Sequence, residues 1–283
     1  MNTVTGSALT LVGTLTELLG TLLADAESEW RIRTSESWCH VDLAGQFAGP
    51  GRVQGWKLHV SSTVADSEQV LRAAASVLIA ARCAFKFART AELLGSLNDA
   101  HAPRGRSGKF LTAYPAADAD VPELARKLDT ATRGLAGPVV LSDLRYHAES
   151  LVHLRFGAFS GVPMLSVDGE TSVGILDPDG RAVADRREPR FSPPAWAPLP
   201  LRQAPASPSS GQVLLADRFL VRRAIRHANK GGVFVAQDRA SGREVIVKQA
   251  RRHVGARVDG RGDVTALLRR ELPSARVTRR CAD

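Results

Sequence analysis

The chain has 283 residues, 44% hydrophobic and 24% charged, enough to bury a sizeable core, which excludes a fibrous, low-complexity or small disulfide-stapled protein. Its three cysteines, Cys39, Cys83 and Cys281, form no CxxC pair, so neither a zinc ribbon nor an extracellular disulfide framework is expected, and a reducing, cytoplasmic setting is the default. The net charge of +9 is uneven: residues 1–212 carry 21 Lys+Arg against 22 Asp+Glu, and residues 213–283 carry 17 against 7.

With 5% aromatic residues and no interleaving of aromatic and basic positions, a nucleic-acid partner would have only backbone attraction to a basic tail, and is disfavoured. The apolar run near residue 8 has no preceding Lys or Arg, and no later run reaches the length of a spanning helix, so no membrane partner is expected.

In chain order, the leucines between Leu9 and Leu23 fall near helical spacing and predict a helix over roughly 8–26. Residues 30–55 show no clear pattern. The run 56–60 (WKLHV) alternates, which predicts a strand with Trp56, Leu58 and Val60 on one face and Lys57 and His59 on the other. Asp66 or Ser67 would cap a helix to about Ala81, with Val70, Leu71, Ala74, Val77 and Leu78 as its apolar stripe. A short strand or turn, Ala84 to Phe87, precedes a helix over 89–97. A Pro/Gly/Arg loop at 102–108 leads to a strand from Lys109 to Tyr114, stopped by Pro115.

Residues 120–133 predict a helix ended by Gly134, followed by strands at Val139–Leu141 and 151–156. Short strands alternating with helices indicate an α/β or α+β layout; strand direction is not legible at this level. Pro189 to Gly211 has a linker composition, and the charge balance changes there too, so a boundary is expected at 204–212. Beyond it, three apolar stretches at 219–225, 231–236 and 243–249, separated by turns, predict three antiparallel strands, and Asp263–Leu272 predicts a helix.

The first 200 residues scatter isolated cations along strand edges: Lys57 with His59, Lys86 between two phenylalanines, Arg104, Arg106 and Lys109 around a glycine-containing loop, and Arg145 and Arg155 near a strand pair. Such a set suits a dianionic group, because Arg forks match phosphate oxygens and a lysine desolvated near other cations becomes a useful base. Each residue taken singly is also what a solvated face or a surface ion pair would show, and His59 what a structural histidine would show.

The segments 56–60 (WKLHV), 85–86 (FK), 106–115 (RSGKFLTAYP), 137–143 (GPVVLSD) and 155–159 (RFGAF), in this order, resemble the amino-terminal lyase part of class III and class IV lanthipeptide synthetases, modular enzymes with a phosphoserine/phosphothreonine lyase, a Ser/Thr kinase-like and a cyclase domain. The lyase part is similar in turn to bacterial effector phosphothreonine lyases. The resemblance implies Lys86 as base, His59 as acid, phosphate contacts from Lys57, Arg106, Arg145 and Arg155, and support from Lys109 and Tyr114, with no cofactor for the lyase step. It implies an α+β lyase-like domain over 1–203 with a mixed or antiparallel sheet and flanking helices, and a precursor peptide bearing a leader and phosphorylated Ser/Thr as partner.

Residues 221–249 resemble the Gly-rich loop and third strand of a protein kinase, implying ATP contacts from Gly231, Gly232 and Lys248 and a pairing of Lys248 with Glu271; the loop has Asn229-Lys230 where glycines are usual. HRD- and DFG-type segments do not follow, so residues 213–283 are expected to be an incomplete kinase amino-terminal lobe of a truncated or frame-shifted synthetase. ATP and Mg, used by the family's full-length members, would then have half a site, and association with separate kinase or cyclase portions becomes an expectation. The alternative reading is a phosphopeptide- or leader-binding remnant without turnover.

Overall fold

The computed structural model describes residues 29–43, 52–165, 171–201, 213–255 and 262–271; the helix expected over 8–26 and the boundary expected at 204–212 lie outside them. The architecture is α+β with antiparallel sheets. The largest sheet has seven strands in the order β1-β2-β4-β5-β3-β7-β6. These are β1 Trp30–Thr34, β2 Trp38–Leu43, β3 Gln54–Val60, β4 Ala84–Ala88, β5 Leu111–Tyr114, β6 Leu144–Arg145 and β7 Val152–Ala158, every adjacent pair antiparallel.

Period-two alternation sorts this sheet into two unlike faces. One carries Cys39, Val41, Trp56, Leu58, Phe85, Phe87, Leu111 and Leu154, all at 0% exposure. Against it pack α1 (Ser67–Ala80), through Val70, Leu71, Ala74, Ala75 and Leu78, and α3 (Val121–Ala131), through Leu124, Ala125 and Leu128. The stripe read from the sequence on α1 is the buried one, apart from Val77, which is half-buried. Burial of a leucine such as Leu78 contributes about 1.5 to 3 kcal/mol. The short helix α2 (Ala91–Leu97) starts where the Thr90 hydroxyl accepts from the Leu93 amide, so the last helix turn before the Pro/Gly/Arg loop is fixed at its N-terminus.

Three expectations change. Residues 30–43, which show no pattern, form the β1–β2 hairpin; the β1 residues Arg31 to Thr34 are exposed on both faces, so no alternation marks this edge strand. Val139–Leu141 is not a strand but a loop that enters a turn at Leu141, held instead by side chains described below. The proline-rich run begins as a strap rather than a linker: Trp56 Nε1 donates to the Pro198 carbonyl at 2.9 Å, and Phe191 and Trp196 pack on Trp56 and Phe156.

A three-stranded antiparallel meander, β8 Val162–Leu165, β9 Thr171–Leu176 and β10 Ala182–Ala184, is tied to the large sheet by the Gln54 amide, which donates to the Leu176 carbonyl and accepts from the Leu176 amide. The final unit is a four-stranded antiparallel sheet of β11 Leu214–Leu215, β12 Phe219–Ala228, β13 Gly231–Asp238 and β14 Glu244–Ala250, with α4 at Val264–Glu271. The three stretches expected as strands are strands here, and a short one precedes them. The unit does not stand apart: its β12–β13 turn contacts the 98–107 loop, through Lys230 N to Ala100 O at 3.1 Å among other bonds.

Candidate active site

The second face of the large sheet is polar. Direct cross-strand pairing places His40, Lys86, Thr112, His59, His153 and Arg145 in one row across six strands. In the next row Lys57 stands opposite Arg155 on β7, and Tyr114 opposite Ala84 on β4. The alternation in WKLHV therefore puts Lys57 and His59 together on this face, as the sequence predicts, while Trp56 and Leu58 anchor the same strand in the core.

Lys57 is 6% exposed and donates to the Ala158 carbonyl at 2.6 Å. Burial, then the neighbouring Arg155, lower its pKa to about 7, Asp185 opposing. Arg155, also 6% exposed, pairs with Asp185 and donates to the Arg186 carbonyl at 2.9 Å. Lys86 is half-buried with its ammonium 4.6 Å from the centre of the Trp38 ring, and burial with Arg187 and Lys109 lowers its pKa to about 8. Phe85 and Phe87, which flank it in sequence, point into the core; the aromatic partner of Lys86 is Trp38. Among the described residues no carboxylate pairs with Lys86.

His59 is 4% exposed and its Nδ1 contacts Asp143 Oδ2. With Nδ1–H donated to that carboxylate, Nε2 is the nitrogen available for proton exchange. Burial pushes the imidazole down to about 3, with Asp143 acting the other way, which leaves His59 neutral near pH 7. Burial alone would raise Asp143, but the N–H it accepts from His59, the Lys109 ammonium and the Ser142 hydroxyl together outweigh it and hold the carboxyl well below the usual carboxylate range. Asp143 also accepts from Ser142 Oγ at 2.6 Å and lies 3.3 Å from Lys109 Nζ. His153 is fully buried, accepts from Val140 N at 3.2 Å through Nε2 and meets the Leu151 carbonyl at 3.0 Å through Nδ1. It is a neutral strut that holds the 137–143 loop, and so Asp143, over the sheet.

The 103–109 loop lies beside that one. Gly108 has φ +83, and a Cβ there would stand 3.1 Å from Val140 Cγ2; only glycine takes this turn without strain, and it aims Lys109 at Asp143. A Cβ on Gly105 would fall 2.2 Å from the Arg187 carbonyl oxygen, which shows how closely the 185–187 segment crosses this loop. Arg187 is exposed at the site's mouth yet close enough to Lys57, Lys86, Lys109 and Tyr114 to affect the titration of all four. Burial holds the Tyr114 phenol well above its ordinary range, and its ring packs edge-on against Phe159 at 5.2 Å.

The structure thus brings together Lys57, His59, Lys86, Lys109, Tyr114 and Arg155. Arg145 sits one strand beyond His153 and donates to the Ser150 carbonyl at 2.8 Å. Arg106 is exposed on the turn, its amide bonded to Pro103 O at 2.9 Å. Sequence reasoning missed Asp143, Asp185 and Arg187. Asp143 closes the GPVVLSD segment and could have been found there; Asp185 and Arg187 carry no local signal.

In the terminal unit, Gly231, Gly232 and Lys248 line a cavity of about 230 Å³ with Arg226, Lys230 and α4 residues Val264, Leu267 and Leu268. Lys248 is exposed on β14 opposite Val233, and Glu271 is the last residue of α4. Among the described residues no group of three or more His, Cys, Asp or Glu could hold a metal ion, and no helix is long and apolar enough to cross a membrane.

Residues 20–213 match the family described as RamC, N-terminal domain, and the chain belongs to that family. It is 37% identical over 217 residues to the Probable SapB synthase of Streptomyces coelicolor (strain ATCC BAA-471 / A3(2) / M145), a match that takes in 76% of this chain and 23% of that protein; the chain spans less than a quarter of the length of this curated relative. Among solved structures, the VirA (SpvC) phosphothreonine lyase effector of Chromobacterium violaceum is similar with a TM-score of 0.37 and 16% identity, over 45% of this chain and 65% of that one. The effector/phosphothreonine lyase OspF of Shigella flexneri is similar with a TM-score of 0.36 and 13% identity, over 48% and 73%.

Proposed function

We propose that the chain eliminates phosphate from phosphoserine or phosphothreonine in a precursor peptide, as the lyase portion of a lanthipeptide synthetase. The observation that carries this reading is one sheet face on which an amine of lowered pKa, a carboxylate-oriented imidazole and an excess of cations meet. Lys86 and His59 share one row of this face with a single strand between them, about 10 Å between backbones.

Lys86 as neutral amine takes the Cα proton. The electron pair forms the Cα=Cβ bond as the Cβ–O bond breaks, and phosphate leaves with a proton from His59 Nε2. Lys109, Arg155 and Arg187 stabilise charge on the enolate-like carbonyl and the phosphate, and Lys57, whose charged form a bound dianion favours, adds to them. His59 must first acquire its proton. A unit negative charge 4 Å away contributes about 4 kcal/mol at an effective dielectric of 20, or about three decades of proton affinity, so a bound phosphate dianion is sufficient to charge the imidazole, and Asp143 stabilises the cation. These groups supply the acid, base and counter-charge, so the step needs no cofactor.

The family membership and the synthase relative support the peptide setting. The β11–β14 unit fits the amino-terminal lobe of a kinase-like domain by its strand order and the cation-lined cavity at its Gly-Gly turn. The lyase reading is tested by incubating the chain with a synthetic phosphoserine peptide, without ATP and with a chelator. Release of inorganic phosphate together with a peptide lighter by one phosphoric acid supports it; intact phosphopeptide beside well-folded protein overturns it, and saturable binding under those conditions selects the remnant that binds without turnover.

A further inference from the structure

Asn229 occupies the tip of the β12–β13 turn and is 1% exposed, unusual for a polar residue at a hairpin tip. Its side chain reaches out of its own unit: Nδ2 donates to the Asp99 carbonyl at 2.7 Å and to Ser107 Oγ at 2.8 Å. Arg251, just past β14, binds it from the other side, Nη1 donating to Asn229 Oδ1 at 2.6 Å and to its carbonyl at 2.9 Å, while Nη2 donates to the Val139 carbonyl. One amide and one guanidinium therefore clasp both the 98–107 loop and the 137–143 loop. Backbone bonds from Lys230 N to Ala100 O at 3.1 Å and from Gly255 N to Asn98 O at 2.8 Å run alongside.

These two loops deliver Lys109 and Asp143 to His59. Ser107, held by Asn229, is two residues from Lys109; Val139, held by Arg251, is next to Val140, whose amide binds His153, and four residues from Asp143. Ser142 Oγ lies between the loops, donating to Asp143 at 2.6 Å and standing 3.4 Å from the Gly105 carbonyl. We infer that Asn229 and Arg251 are positioning residues for the His59–Asp143–Lys109 arrangement, and that the C-terminal β-unit is a working part of the site on the large sheet. Asn229 stands where the kinase-like resemblance leads one to expect glycine. A glycine would leave Ser107, the Asp99 carbonyl and the Arg251 guanidinium short of partners in a buried junction.

The inference rests on the lyase reading for its functional consequence, and the test separates the two. Asn229→Gly and, as a milder change, Arg251→Lys are made in the full chain. Phosphate release is measured over pH 6 to 9.5, and amide exchange is followed in 99–109 and 137–143. For Asn229→Gly the expected result is a fall in kcat of roughly 10- to 100-fold, the size of effect that small misplacements produce, with KM changed less than threefold. Amide exchange in the two loops should rise at least tenfold while α1 and α3 keep their protection, and the imidazole proton shared by His59 and Asp143 should broaden or shift in NMR. Arg251→Lys should give the same changes at smaller size.

If the unaltered chain releases no phosphate, the lyase reading fails, and the exchange and imidazole signals still decide the positioning. If loop exchange and the His59 signal match those of the unaltered chain, or if KM alone rises, the inference is overturned.

Discussion

Lys57 on β3 and Arg155 on β7 stand directly opposite one another, each 6% exposed, and Asp185 pairs with the arginine. Two cations forced together out of water leave the lysine as the group that gives up its proton, which explains a pKa lowered to about 7.

That pairing sets a pH dependence of stability. The folded pKa of Lys57 is depressed below its unfolded value, so between about 7 and 10.5 the unfolded chain holds more protons, and stability rises with pH there and is lost as pH falls through 7. Lys86 adds to this with its pKa at about 8. Denaturant unfolding at pH 7.0 and 8.5 should show a gain of about 1 to 2 kcal/mol, diminished in Lys57→Met; no gain, or an undiminished one, contradicts the buried contact.

Lys86→Ala should abolish phosphate release while phosphopeptide affinity changes less than about threefold, because a base acting on the Cα proton contributes mainly in the transition state. Titration calorimetry with a phosphopeptide beside a phosphate assay checks both halves. Binding lost with unchanged turnover per bound substrate would move Lys86 into the phosphate-holding set.

Arg187 and Arg106 should separate. Arg187 lowers the pKa of Lys86 from the site's mouth, so Arg187→Ala should move the ascending, low-pH limb of the pH–rate profile to higher pH as well as weaken binding, by about 1.5 to 3 kcal/mol for a charge-assisted contact. Arg106→Ala, on the exposed turn, should cost under about 1 kcal/mol. The reverse ranking would restore Arg106 to the role that the family resemblance implies.

Asp143→Asn removes the charge that faces His59 and Lys109 at the centre of the loops. Thermal unfolding should show a loss of about 3 kcal/mol, typical of a buried pair deprived of one member. Phosphate release should fall further than stability accounts for, since the imidazolium loses its counter-charge. Activity retained at a tenth or more of the unaltered chain would show that His59 is oriented by something else.

Much of this was legible in the sequence because the informative signals are local. Alternation in WKLHV assigns the faces of β3, helical spacing marks the stripe of α1, and Gly134 marks the end of α3. What escaped depends on partners far along the chain. Val139–Leu141 looks like a strand by composition, yet its amide partner is a histidine side chain on β7 rather than a ladder. Asp185 meets Arg155 across 30 residues, and β1, exposed on both faces, has no pattern to read. The phenylalanines beside Lys86 were adjacent in sequence but opposite in space, because a strand turns each neighbour to the other face.

The strap at 189–201 bears on how the gene is divided. A fragment ending at Pro189 would retain all seven strands of the large sheet and Arg187, and on a strand diagram would look whole. It would also strip Phe191 and Trp196 from Trp56 and Phe156 and leave the Trp56 indole without its carbonyl. Trp56 is next to Lys57 on β3, so the damage would reach the reactive face through the strand that supplies it. A cut that spares the cover of Trp56 has to fall after Leu201, short of the boundary expected at 204–212, and it would still take Asn229 and Arg251 from the two loops they hold.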